Sequence, residues 1–306
     1  MGGGGGGGWP GDTSPAELLD KTTAVEKESY KTELNSYFDE LLSDFNRRNP
    51  DQVNAHLETI KDALTKEKIG TIILIFGGSV KKHTYVDGIS DTDILALIEN
   101  TELAGGSPKD VLRYFAEKIR ERLRNTEVQI GNMTVIIRFS DGNEIQVVPA
   151  ISTATGYHIP KADGSDWSTV VRPDKFADKL SSVNQSKAGR VVRVIKLYKA
   201  INESFPQDLH LSGYHIESLA VEAFENYQGN LTYKDMLMHF VECASEAVLH
   251  PIKDRTGQSI HVDDYLGDDK SYDRQKVSAK LGRVAAQMRL ADSEASSERW
   301  KELLES

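Results

Sequence analysis

The chain mixes strand and helix periods up to Tyr157 and is helical in period after it, and that shift constrains its fold more than any other feature. Ahead of it lie short, β-branched apolar blocks. Thr71-Ile-Ile-Leu-Ile-Phe76 is continuous, as a strand buried on both faces should be, and Asp93-Ile-Leu-Ala-Leu-Ile98 reads as a second strand. Pro108–Arg124 has helical spacing. Val128–Ile130 and Met133–Phe139 flank a Gly131-Asn132 turn, and Asp141-Gly142 leads into a strand over Glu144–Val148. Upstream, Phe38, Leu41, Leu42 and Phe45 form one helical stripe, Asn49-Pro50 breaks it, and Asp51–Lys66 predicts a second helix. Beyond Tyr157, Pro173–Ser182, Lys187–Asn202, Tyr214–Asn226, Tyr233–Leu249, Ser271–Leu290 and Ser293–Leu304 all carry the helical period. An α/β half followed by an all-helical half predicts an α+β chain of two lobes with a cleft between them.

The boundaries follow from the same reading. Residues 1–23, with seven glycines after Met1, are expected to be a flexible Gly-rich segment; 24–160 a sheet-containing core with N-terminal helices; and 161–306 a helical lobe. The glycine run has no apolar core for a signal peptide, and Gly6 stands where myristoylation wants Ser or Thr, so a cytoplasmic location is expected. The longest apolar run, Thr71–Phe76, is far too short to span a membrane. Thirty-seven Lys and Arg against 47 Asp and Glu give a net charge of −10, which repels a phosphate polymer except at a local basic site. A single cysteine, Cys243, rules out a disulfide scaffold and a Cys-built zinc ribbon.

The chemistry-bearing motif sits between the first two strands. The buried strand ends in Phe76-Gly77-Gly78-Ser79, and eleven residues after Ser79 comes Ser90-Asp91-Thr92-Asp93. Strand side chains alternate, so Asp91 and Asp93 point the same way, and their repulsion is relieved by a cation between them. Hard carboxylate oxygens suit Mg²⁺ or Mn²⁺ shared with substrate phosphates. Glycine ahead of Ser79 lets backbone and hydroxyl approach a phosphate closely. Taken alone, Asp-x-Asp is more often a turn or a cap, and Gly-Gly-Ser is weaker still. The ordered combination of strand, Gly-Ser, spacer and Asp-x-Asp strand is what points to chemistry.

This pattern resembles the core of the polymerase-β-like nucleotidyltransferases, whose fold implies a mixed sheet with flanking helices, a C-terminal helical lobe and an active site in the cleft between them. In that family the two acids hold two Mg²⁺ (or Mn²⁺) ions that clamp a nucleoside triphosphate. A third acid comes from a neighbouring strand, three residues before a Pro. Here that stretch is Ile145-Gln146-Val147-Val148-Pro149-Ala150, with a neutral amide at 146. Three accounts stand: Glu144, two residues earlier and on the same strand face, replaces the acid and joins Asp91 and Asp93 as a metal ligand; the site is natively weak; or Gln146 is a deliberate inactivation.

Lys187, Arg190, Arg193, Lys196 and Lys199 form an acid-free block, ordinarily a solvated face but in so acidic a chain also a candidate anion site. Ser212, in Leu211-Ser212-Gly213-Tyr214-His215-Ile216-Glu217, is a helix N-cap that also suits phosphate, with Gly213 in the place next to the Tyr. Both segments resemble the helical lobe of the cyclic GMP-AMP synthase and oligoadenylate synthase branch, including the bacterial antiphage CD-NTases. The resemblance spans about Phe38–Leu304 and implies that Gly78, Ser79, Lys196 and Ser212 grip the triphosphate. It implies an enzyme that makes a cyclic di- or oligonucleotide second messenger from ribonucleoside triphosphates, ATP among them, for a separate effector protein, with an activating protein as a further partner. No His/Cys cluster is present to grip DNA, so activation by DNA is not expected. The competing readings are a template-independent transferase acting on RNA or protein, and a catalytically weakened nucleotide-binding regulator.

Overall fold

The computed structural model describes residues 15–45, 50–65, 71–76, 78–86, 92–99, 102–254 and 261–305. Two helices, α1 (Pro15–Asp44) and α2 (Pro50–Thr65), precede strand β1 (Thr71–Phe76), the single-turn helix α3 (Gly78–Lys81) and β2 (Thr92–Glu99). Then follow α4 (Pro108–Arg122), β3 (Glu127–Ile130), β4 (Val135–Arg138), β5 (Glu144–Thr153) and β6 (Gly156–His158). The rest is helical: α5 (Pro173–Ser186), α6 (Arg190–Glu203), α7 (Gly213–Glu225), α8 (Tyr233–Ala247), α9 (Tyr272–Ser293) and α10 (Ser297–Glu305). No helix among the described residues is long and apolar enough to cross a membrane.

Among the described residues the sheet has six strands in the order β1-β2-β5-β4-β3, with β6 against β5. It is mixed: β2 and β5 run parallel, and the remaining pairs are antiparallel. One face is covered by α2 and α4, where Ile60 and Leu64, then Val111, Phe115 and Ile119 at helical spacing, pack on Ile94, Ala96, Ile98, Ile145 and Val147. Ser107 caps α4 by accepting from Asp110 N (3.3 Å). Because strand residues alternate, the same register leaves Asp93, Gln146 and Glu144 on the opposite face.

The helical lobe closes over that opposite face, around a core that includes Val194, Tyr198, Phe224, Phe240 and Leu281. Helix α1 belongs to this core and not to the sheet, which departs from the expected grouping of both N-terminal helices with residues 24–160. Its stripe Leu34, Phe38, Leu42 and Phe45 meets helical-lobe aromatics, with Phe38 edge-on to Trp300 at 5.8 Å and Trp300 Nε1 donating to Tyr30 OH at 2.9 Å. The helix also starts at Pro15, ahead of the expected ordered start at Ala24, since proline is tolerated in a first turn whose N–H groups lack intrahelical partners.

Two smaller expectations shift for local reasons. The β3–β4 connection is the four-residue Gly131–Thr134 loop closed by Gly131 N to Thr134 O (2.8 Å), not a two-residue turn. Helix α6 starts at Arg190 and not Lys187, because Ala188 (φ 53°) and Gly189 (φ 74°) adopt the left-handed region and end α5. Lys187 consequently leaves the basic helix and donates to Tyr227 O at 2.7 Å.

Candidate active site

The cleft between sheet and helical lobe is a cavity of about 310 Å³ whose lining includes Gly78, Ser79 and Asp93 from one side and Lys199, Gly213 and Glu217 from the other. Gly78 is at φ +45°, and a Cβ there would collide with the Asp93 carboxylate, so glycine is required both by the backbone and by the acid it packs against. Ser79 is buried and its Oγ has no hydrogen-bond partner among the described residues. A buried hydroxyl without a partner costs free energy, and a ligand oxygen in the cleft would remove that cost. Asp91 lies outside the described residues.

Opposite Asp93 on the parallel neighbour stands Gln146, its register partner. Glu144 is one pleat away, and its carboxylate is already engaged: Arg138 Nε donates to Oε2 at 2.7 Å and Gln146 Nε2 to Oε1 at 3.2 Å. Arg138 is the cross-strand partner of Glu144 on β4, so the ion pair is built into the register. Glu144 therefore serves Arg138, and the position level with Asp93 is occupied by an amide. Among the described residues no group of three His, Cys, Asp or Glu side chains is arranged to hold a metal. With phosphate oxygens, Asp93 would suit one hard divalent ion; a second ion of the kind the resemblance implies would lack its third carboxylate among the described residues.

On the helical side, Lys199 and Gly213 face the cleft, while Lys196 and Ser212 do not line it. Three residues along a helix rotate a side chain by about 60° from its predecessor, enough to move it from one cavity to the next. Lys196 lines a separate cavity of about 330 Å³ with Leu42, Asn184 and Arg193, on the far side of Lys82. Ser212 caps α7, its Oγ accepting from His215 N at 3.2 Å, and its own N–H donates to Tyr265 OH at 3.1 Å. The Lys199 ammonium lies close enough to Gly213 that a Cβ there would sit 3.6 Å from Nζ.

Lys199 does not carry its charge in isolation. Its Nζ donates to Thr84 O (2.9 Å) and lies 3.7 Å from Glu217 Oε1; Lys82 is ion-paired with the other Glu217 oxygen, and Thr84 Oγ1 donates to Glu217. Burial pushes the Lys199 amine below its usual range, and the Glu217 carboxylate is the largest influence opposing that. Lys196 is also held down, by burial and then by the charge of Lys199. Beside Asp93, a second and mostly apolar cavity of about 320 Å³ is lined by Leu95, Met133, Val148, Phe176 and Tyr214, with Thr134 as its neutral polar contributor. It adjoins the first across Gly78 and Lys82, giving a charged compartment next to a mostly apolar one.

Residues 14–184 match the Second Messenger Oligonucleotide or Dinucleotide Synthetase domain, more than half of the chain. The chain belongs to this synthetase family. No curated protein matches it. Among solved structures the synthetase chain resembles CdnC of E. coli MS115-1 solved with ATP, at TM-score 0.66 and 14% identity over 87% of this chain and 92% of that one. It resembles CdnC in the CdnC:HORMA-deltaN complex at TM-score 0.67 and 14% identity, covering 90% and 96%. It also resembles the STING-associated CdnE c-di-GMP synthase from Capnocytophaga granulosa at TM-score 0.62 and 16% identity, covering 90% and 95%. These likenesses bear out the mixed-sheet nucleotidyltransferase core and helical lobe expected from the sequence.

Lys82, Thr84, Lys199, Gly213 and Glu217 were not singled out as site residues by sequence reasoning. The acid-free block did contain Lys199, and the string Gly213-Tyr214-His215-Ile216-Glu217 held two more, but the helix phase alone does not say which cation meets the cleft. For Lys82 and Thr84 no sequence signal existed.

Proposed function

We propose that the chain joins ribonucleoside triphosphates, ATP among them, into a cyclic di- or oligonucleotide, releasing pyrophosphate. The reading rests on one observation above all: the Ser79 hydroxyl, without a partner among the described residues, lies in the same cleft as Asp93, Lys82 and Lys199. A triphosphate in that cleft would accept from Ser79 and pair with the two ammonium groups. Asp93, with Asp91, would hold Mg²⁺ or Mn²⁺, which when bound neutralises the phosphate charge and polarises the α-phosphate. Gly78 allows the close packing that orients Asp93. The apolar cavity beside Asp93 would take a nucleobase. In this reading the product is a second messenger for a separate effector in bacterial antiphage signalling, and the protein acts in the cytoplasm. The CdnC:HORMA-deltaN complex makes a HORMA-type protein the first activating partner to test.

Protein incubated with Mg²⁺ and four labelled ribonucleoside triphosphates, with and without such a partner, is expected to give a phosphatase-resistant product. Linear products sensitive to phosphatase would replace the cyclase by a template-independent transferase. No product under any condition, from this chain or from Gln146→Glu, would overturn the proposal. One observation favours a second reading, a nucleotide-binding regulator of weak activity: Gln146 stands level with Asp93 while Arg138 takes Glu144. Tight triphosphate binding without turnover, restored by Gln146→Glu, would identify it.

A further inference from the structure

Both cations of the cleft converge on one carboxylate. Glu217 of α7, 1% exposed, receives Lys82 from the turn after α3, Lys199 from α6 and the Thr84 hydroxyl. The Lys82 ammonium also sits 5.4 Å from the ring centroids of both Phe176 and Tyr214. Glu217 thus ties three segments of the cleft floor together through side-chain charge and hydrogen bonding at once. A lone carboxylate at that depth would be expensive, and two ammonium groups packed there without it would repel one another.

We infer that Glu217 is a positioning residue for the triphosphate: it holds Lys82 and Lys199 side by side with their ammonium groups aimed into the cleft. This rests on the proposed triphosphate site, and deepens it. Burial and the neighbouring Lys82 charge push the Lys199 amine down, whereas Glu217 first and Asp93 second push it up. From the packed elements, the charges bearing on Lys199 are Glu217 on α7, Lys82 after α3, Asp93 on β2 and Lys196 on α6; Glu203, His210 and Tyr214 complete the ionisable lining of the cleft among the described residues. Removing the Glu217 charge leaves burial and like charges against Asp93 alone, so Lys199 gives up its proton nearer to neutral pH. A neutral lysine pairs poorly with phosphate.

The test uses metal-free binding of inorganic tripolyphosphate to the full chain between pH 6.5 and 9.5, measured by calorimetry. Ligand ionisation is common to all variants and cancels in the comparison. Glu217→Gln keeps the shape and the acceptor for Thr84; it is expected to bind within about threefold of the parent at pH 6.5 and at least tenfold more weakly at pH 9.5. Glu217→Asp keeps the charge and is expected to follow the parent profile at reduced affinity, which also serves if Glu217→Gln does not fold. A merely structural Glu217 would lower affinity equally at every pH, and that result, or a steep profile for Glu217→Asp, would overturn the inference. If instead Ser79→Ala and Lys199→Ala leave tripolyphosphate binding unchanged, it is the triphosphate site itself that fails.

Discussion

Gly78→Ala separates backbone strain from site geometry, because the structure supplies a matched control. Gly78 is at φ +45° and its added Cβ would run into the Asp93 carboxylate; Gly142, in the β4–β5 turn, is at φ +87° with nothing within 4 Å. Alanine in the left-handed region costs about 1–2 kcal/mol at either position, a loss of a few degrees in Tm for a chain of this size. Only at position 78 must something else move, and the nearest atoms belong to the side chain expected to hold the metal. Displacing a catalytic group by about 1 Å costs on the order of 10²-fold in rate. The assay is turnover of labelled triphosphates with Mg²⁺, alongside Mg²⁺-dependent affinity for a non-hydrolysable ATP and thermal melting. Gly142→Ala should lose only the backbone cost, and Gly78→Ala that cost plus whatever the displaced Asp93 adds. Gly142→Ala should keep turnover within about threefold, while Gly78→Ala loses about 10²-fold together with its metal-dependent affinity. Equal activity in the two variants would refute the argument that Gly78 exists to seat Asp93.

At the third-acid position, Gln146→Glu is expected to raise turnover by about 10²-fold, the lower end of what a positioned acid or base contributes, while Glu144→Gln changes it little because Arg138 already occupies that carboxylate; the reverse order of effects would restore Glu144 as the functional acid. His83 is exposed at φ 60°, so His83→Gly should relieve left-handed strain and stabilise by about 0.5–1 kcal/mol after the entropy of glycine is subtracted, seen as a higher urea midpoint; a lower midpoint would contradict it. Desolvation holds the buried His215 at about 4, against its ordinary 6.5, with Asp263 pulling the other way. The unfolded chain therefore binds that proton first: its contribution is whole above about pH 6.5 and is lost as pH falls toward 4, by up to about 3 kcal/mol. Urea unfolding across pH 7.5 to 4.5 should be less steep for His215→Gln than for the parent; identical slopes would show that His215 does not set the acid limit.

The sequence by itself determined most of the elements and their order, though not the short α3 and β6 or the extension of β5 to Thr153. Strand alternation and the i, i+3, i+4 spacing are local properties, so β1, β2, α4 and the helices from α5 to α10 were legible to within a few residues. The meeting of Gly78 and Ser79 with Asp93 at one cleft was legible too, because the Gly-Ser turn and the strand that carries Asp93 stand close together in the chain. What only the tertiary structure decided depends on how distant segments align. The parallel register of β2 with β5 puts Gln146, not Glu144, beside Asp93, and the antiparallel register of β4 hands Glu144 to Arg138. The rotation of α6 under the sheet lobe sends Lys199 into the cleft and Lys196 away from it. Helix α1 carries an apolar stripe that would suit either lobe, and the aromatics at Tyr233 and Trp300 settle which one it joins. Glu217, an ordinary acid on a helix in the sequence, becomes the shared counter-ion of the cleft only because α3, α6 and α7 meet there. Register and helix rotation are set by packing between residues far apart in the chain, and no local pattern encodes them.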